Sequence, residues 1–384
     1  MKYTVVCLLM WCCQVANGKN PVDTGAVKDV LGNRSLLPVA ASYKTYRISD
    51  TAAYELQLAL DRDNRPLYYY RHIFTPVCYT GECKPVYINL YWDLLGNYIR
   101  YDLPGKEVLT KLDHKEFKRD DYEKLQDILA RPNSLLADLA ITDLIVPGTE
   151  SLSDSVDART GATLKTIKNE VISGAVYTCY TLWHIAHGTV TDEIARITDT
   201  YINPALLHRF LSSSNHAYQY KALEKVMDKN GKIMPGFEND IRTLINGKNI
   251  FIARYTLQQV HPGFITGAKA QSWLWDTYTK SVYPLQLTML RKLATVPLSD
   301  AMAKQLANAG SSANEEQFHL ILAALQATPH LPDAAIQLLA NQLESTDATR
   351  AAAIHALLLQ QQAVNHSVKI KMHEYEQTLH PTEK

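Results

Sequence analysis

The chain lacks any surplus of charge: 39 basic residues stand against 39 acidic ones in 384. No long-range field recruits nucleic acid or anionic lipid, so neither is expected as a partner. Cysteine is scarce, with six residues, three of them (Cys7, Cys12 and Cys13) inside the first thirteen. There is no Cys-x-x-Cys-His for covalent haem, no phosphate-binding glycine loop and no Gly-x-Ser-x-Gly elbow, so those nucleotide and hydrolase readings have no motif to rest on. Nor is there a skew toward disorder, because 46% hydrophobic and 20% charged residues make an ordinary globular balance. A chain of this length has room for two hydrophobic cores, and two parts are expected.

The first residues read as an export signal. Lys2 precedes an apolar run from Tyr3 to Cys13, and small residues follow to Ala16-Asn17-Gly18. That order predicts a signal peptide over 1–18, and the run is too short to span a bilayer. Leu9-Met10-Trp11 before Cys12 lacks the small side chains of a lipobox, so a soluble secreted protein is expected, with no integral membrane segment after signal removal. Cys78, Cys83 and Cys179 then remain. In an oxidising compartment Cys78 and Cys83, separated by a spacer containing Gly81, are candidates for a structural disulfide or for a redox-active pair.

Between Lys44 and Leu103 the texture is extended. Tyr68 to Phe74 and Val86 to Trp92 are rich in β-branched and aromatic residues, and the second run continues through Gly96-Asn97 into Tyr98–Tyr101 as a hairpin. Asp120 to Ala130 has helical spacing at Tyr122, Leu125, Ile128 and Leu129. Beyond Gly188 amphipathic segments of helical length are separated by turns. Turn prolines at Pro204, Pro235, Pro262, Pro297 and Pro332 recur about every thirty residues, near the period of helical-pair repeats. The expected class is α+β: a small mixed sheet domain with helices over 40–190, then a HEAT-like α-solenoid over 191–364, then a polar tail over 365–384. An irregular helical bundle is the alternative for the second part.

Between the two halves lies Asp157-Ala-Arg-Thr160-Gly161-Ala162-Thr163. It resembles the flavinylation motif of the FMN-binding domain family: Asp, two variable residues, Ser or Thr, Gly, Ala, then Ser or Thr. All five specified positions match, an outcome with a chance on the order of one in a thousand in a chain of average composition. The family includes the FMN-carrying subunits of sodium-pumping NADH:quinone reductases and Rnf complexes and many exported bacterial redox proteins. The resemblance implies FMN joined through its phosphate to the Thr163 hydroxyl by a separate FAD:protein FMN transferase using Mg²⁺. It also implies a periplasmic or cell-surface location in a bacterium, an unidentified redox partner protein, and recognition of Asp157 by the transferase. Threonine is a weak nucleophile near neutral pH, so an external enzyme and an activated donor are chemically sensible. Gly161 and Ala162 keep the approach to the backbone open.

Apolar spacing from Leu164 to His187 predicts one long buried helix starting at Thr163, with Asp157 or Thr160 as its cap and the attached phosphate at its positive end. On it, Tyr177, Tyr180, His184 and His187 share a face. Packing is expected of them ahead of metal binding or of lining a flavin pocket, because no Asp, Glu or Cys completes a ligand set nearby. The functional expectation is an exported flavoprotein that relays electrons. The alternatives are a non-redox helical-repeat scaffold, in which Thr160–Thr163 is only a capped turn, and a flavoenzyme that reduces a dedicated small substrate. Whether the chain is itself an enzyme is open at this point.

Overall fold

Runs rich in aromatic and β-branched residues build the first element of the structure, a five-stranded sheet. The computed structural model describes residues 37–49, 53–77, 84–111, 114–144, 165–344, 347–361 and 364–379. Strands β1 (Ser42–Ile48), β2 (Tyr54–Leu60), β3 (Pro66–Thr75), β4 (Val86–Trp92) and β5 (Tyr98–Asp102) pair in that order, each antiparallel to the last. The expected mixed sheet is thus an antiparallel meander. Its connections are too short for the crossover of a dozen or more residues that a parallel pair requires.

The β4–β5 turn shows how locally the sheet is specified. Asp93 Oδ1 accepts from the backbone N–H groups of Leu95 and Asn97 at 2.8 and 2.9 Å, and Gly96 turns with φ +85°. A Cβ at Gly96 would lie 3.0–3.2 Å from Thr191, so glycine serves both the turn and a close approach.

The two sheet faces differ. One, bearing Tyr69 and Trp92, is covered by helices: α1 (Arg119–Leu129), α2 (Val176–His187) and α3 (Val190–Asp199). Trp92, fully buried, donates from Nε1 to the Ala186 carbonyl at 2.7 Å, and the Tyr69 hydroxyl meets Thr198 Oγ1 at 3.0 Å. On the other face Ala59, Tyr68 and Tyr70 form a small core under Leu37, Ala40, Leu67, Tyr91 and Ile99. Burial raises the Tyr70 phenol to about 12, so it stays neutral.

The chain divides into two units, Met1–Tyr201 and Ile202–Lys384. Helix α3 therefore belongs with the sheet, although sequence texture puts the change at 190/191.

The second unit is helical: α4 (Pro204–Leu211), α5 (His216–Val226), α6 (Glu238–Ile245), α7 (Ile250–Gln259), α8 (Ala268–Lys280), α9 (Tyr283–Leu293), α10 (Asp300–Gly310), α11 (Glu315–Gln326), α12 (Asp333–Gln342), α13 (Ala348–Leu359) and α14 (His366–Leu379). Short polar side chains start many of them. Asn203, Asn215, Asn249, Ser299, Asn314 and Asp347 each accept a backbone N–H of the first turn, and Pro204 takes the first helical position.

Helices pack against the next in sequence and the next but one, so α5, α7, α9, α11 and α13 follow one another in one layer, and α8, α10, α12 and α14 in a second. Bonds between positions about thirty residues apart tie successive pairs. Gln271 Oε1 accepts from Ser299 N at 2.7 Å, Thr277 donates to Asn246 at 2.8 Å, and Gln342 donates to the Ala307 carbonyl at 2.8 Å. The expected polar tail is instead mostly helix α14, because Val368, Met372 and Tyr375 recur at four and three residues and bury one stripe.

Candidate functional site

Asp157, Thr160, Gly161, Ala162 and Thr163 lie outside the described residues, as do Cys78 and Cys83 and the segment 1–18. The structure describes the two flanks of the motif. Upstream are two short 3-10 turns, Leu135–Asp138 and Ile141–Leu144, and downstream a third, Lys165–Ile167. No continuous helix runs from the motif to His187. Gly174 adopts φ +76°, a left-handed conformation that interrupts an α-helix, and α2 begins only at Val176 with Ala175 as its N-cap. Neither Asp157 nor Thr160 caps it, and its positive end lies well downstream of Thr163. The apolar periodicity nevertheless predicts burial correctly, since Ile167, Val171, Ala175, Thr178 and Leu182 are all buried.

The polar face of α2 is occupied. Tyr180 Oη donates to the Leu139 carbonyl at 2.8 Å, Trp183 Nε1 to Arg131 at 2.8 Å, His184 Nε2 to Leu136 at 3.0 Å and His187 Nε2 to Leu129 at 2.8 Å. A carbonyl only accepts, so both histidines carry their proton on Nε2. Four side chains from two turns of helix therefore hold the segment 129–139, at about 0.5–1.5 kcal/mol each. This is the packing role expected of Tyr180, His184 and His187. Among the described residues no cluster of three or more His, Cys, Asp or Glu side chains is placed to hold a metal ion.

Glu170, seven residues beyond Thr163, completes the clamp. Its carboxylate accepts from Ser134 Oγ at 2.9 Å and lies 3.6 Å from the Arg131 guanidinium. Cys179, fully buried, accepts from the Ile172 N–H through Sγ at 3.4 Å. The residues that follow the motif are thus anchored to α2 and to the segment that precedes it.

On the same helix-covered face stands a residue that pattern reading passes over. Arg71 in β3 alternates with Tyr69 and Ile73, both buried, and pairs in register with Leu90 of β4. Its guanidinium lies over the Tyr54 ring at 3.8 Å from the centroid, yet its buried Nε has no hydrogen-bond acceptor, and no carboxylate pairs with it among the described residues. Burial lowers its pKa from the usual arginine value. Leaving such a donor without an acceptor costs about 1–3 kcal/mol. The described residues supply no acceptor for this donor. A charge at an inward position of a strand that otherwise buries Tyr69 and Ile73 is the signal that would have found it.

The opposite face carries a satisfied polar chain. Asn89 Nδ2 donates to Asp102 Oδ1 at 2.7 Å, and His72 Nδ1 bonds Asn89 Oδ1. Asn89 and Asp102 are buried while the His72 ring is exposed. Tyr70 stacks on Tyr91 at 5.6 Å beside it. These side chains satisfy one another and leave no unmet group.

Compared with protein families, with curated proteins and with solved structures, the chain matches none.

Proposed function

We propose that the chain is an exported flavoprotein that carries FMN on Thr163 and relays electrons between redox partner proteins. The observation that carries the reading is the match of Asp157, Thr160, Gly161, Ala162 and Thr163 to all five specified positions of the flavinylation motif. Attachment by the FAD:protein FMN transferase balances simply. The Thr163 oxygen loses its proton as it attacks the FMN-side phosphorus of FAD, the pyrophosphate P–O bond breaks, and AMP leaves.

Bound FMN supplies reversible one- and two-electron chemistry. The protein's own residues hold and orient. Glu170, Ser134 and Arg131 fasten the chain just beyond the attachment point, and the α2 side chains hold the segment before it. A reduced carrier protein is the electron source and an oxidised one the sink. We further read the second unit as a short HEAT-like solenoid whose surface docks such a partner. Its two-layer succession and its thirty-residue bonding interval support this.

The test is expression of the mature chain with the transferase. Whole-protein mass should rise by one covalently bound FMN, with flavin fluorescence surviving denaturing electrophoresis, and Thr163→Ala should abolish both. A colourless wild-type protein refutes the reading and favours a non-redox scaffold.

A further inference from the structure

Helix α7 brings a ring and a charge to the surface of the helical unit. It buries Ile252, Ala253, Thr256 and Leu257, and helical rotation then gathers Phe251, Arg254, Tyr255 and Gln258 on the opposite face. Asn249 fixes the start of that face, accepting from the N–H groups of Phe251 at 3.0 Å and Ile252 at 3.3 Å. Phe251 is nevertheless 72% exposed. The aromatic row continues onto α5, the preceding helix of the same layer, where the Tyr220 ring meets Tyr255 edge-on at 4.9 Å and His216 meets Tyr220 at 6.5 Å.

Arg254 is half-buried, and its Nε is buried without a hydrogen-bond acceptor. Other arginines of this unit have partners. Arg291 pairs with Glu316 at 2.6 Å, Arg350 with Asp347 at 3.3 Å, and Arg242 lies against the Phe264 and Trp273 rings. No carboxylate does the same for Arg254 among the described residues. A partly desolvated guanidinium with a donor left over is complemented by a carboxylate, which is planar, negative and an acceptor at fork spacing. A single cation beside a phenyl ring and an amide lacks the several cations that the repeated phosphates of a nucleic acid or lipid surface require.

We propose that the Phe251–Arg254 face of α7 docks an acidic segment of a partner protein, in which an Asp or Glu carboxylate accepts from Arg254 and an adjoining large apolar side chain covers Phe251. The two anchors lie three residues apart, about 4.5 Å along the helix axis, so one short segment reaches both. This rests on the reading of the helical unit as a docking surface and on nothing in the flavin chemistry, so it and the attachment of FMN to Thr163 fail separately.

The experiment selects a random displayed-peptide library on the full-length protein and counter-selects it on the Phe251→Ser, Arg254→Gln double variant. Peptides that discriminate the two should carry Asp or Glu beside a large apolar residue. With such a peptide fluorescein-labelled, fluorescence polarisation should show Arg254→Gln and Phe251→Ser each weakening binding at least tenfold, with Arg254→Lys recovering part of the loss. Leu359→Ser, which removes another exposed apolar side chain on α13, should leave binding unchanged. Replacing the peptide's acid by its amide should cost as much on wild type and nothing further on Arg254→Gln. If Arg254→Gln does not fold, Phe251→Ser alone serves for the counter-selection and the amide peptide for the charge. A library with no discriminating peptide, discriminating peptides without an acid, or an amide peptide that binds wild type as well as the acid does, overturns the proposal.

Discussion

Replacing Gly231 by alanine tests the packing of the helical unit at a point where the magnitude can be worked out. Gly231 sits in the turn between α5 and α6, where Asp228 Oδ1 accepts from Asn230 N and Lys232 N at 2.8 and 2.9 Å. Its φ is +75°, and its carbonyl accepts from His261 N at 2.8 Å. A Cβ there would lie 1.9 Å from the Gln259 carbonyl oxygen and 2.7 Å from His261 N, both backbone atoms that cannot swing aside. Three costs combine. Left-handed strain is about 1–2 kcal/mol, overpacking about 1–3, and weakening of the His261 bond about 0.5–1.5. The sum is about 2.5–6.5 kcal/mol.

Gly236 supplies the control, with φ +95° and nothing within 4 Å of an added Cβ, so Gly236→Ala should cost strain alone, about 1–2 kcal/mol. Thermal melts followed by helical circular dichroism should fall by roughly 5–25 °C for Gly231→Ala and by roughly 2–8 °C for Gly236→Ala, at about 2–4 °C per kcal/mol in a unit of this size. Equal shifts would refute the claim that the α5–α6 turn is wedged against the end of α7.

Other expectations concern the first unit and the last helix. Burial lowers the His187 pKa, with the Leu129 carbonyl partly opposing this and His184 adding to it. The unfolded chain then binds a proton near pH 6.5 that the native state does not, so stability should drop as pH falls through about 6.5 and level off below the native pKa. His187→Gln should flatten that slope in melts from pH 8 to 5. Trp92→Phe removes the donor to the Ala186 carbonyl and should cost about 1–3 kcal/mol in urea unfolding. An unchanged midpoint would contradict the bond. Tyr375→Ala in α14 should destabilise by about 2–4 kcal/mol, whereas a frayed tail would show no change.

Local patterns made much of the fold readable. The β-branched and aromatic content of Val86–Trp92 and the Gly96-Asn97 turn defined the β4–β5 hairpin, and apolar spacing located α1 within a residue at each end. The proline interval near thirty residues is matched by the bonding interval of Gln271, Thr277 and Gln342. What failed was where one signal fits two conformations. The stripe Ile167, Val171, Ala175 and Thr178 reports burial, and a 3-10 turn, a left-handed Gly174 and then α2 bury it as well as a single helix would. Antiparallel order was hidden because strand texture does not encode pairing partners. At the candidate site the motif was plain in the sequence, while Arg71 and Tyr54 come together only through the β2–β3 pairing.

Trypsin offers the most direct test of the central claim. Cleavage after Arg159 and Lys165 releases residues 160–165, Thr-Gly-Ala-Thr-Leu-Lys, in which Thr160 and Thr163 are the two hydroxyl side chains. After coexpression with the transferase, fragmentation of this peptide should place one FMN phosphoester on Thr163. FMN on Thr160, or a peptide of unmodified mass, would contradict the account.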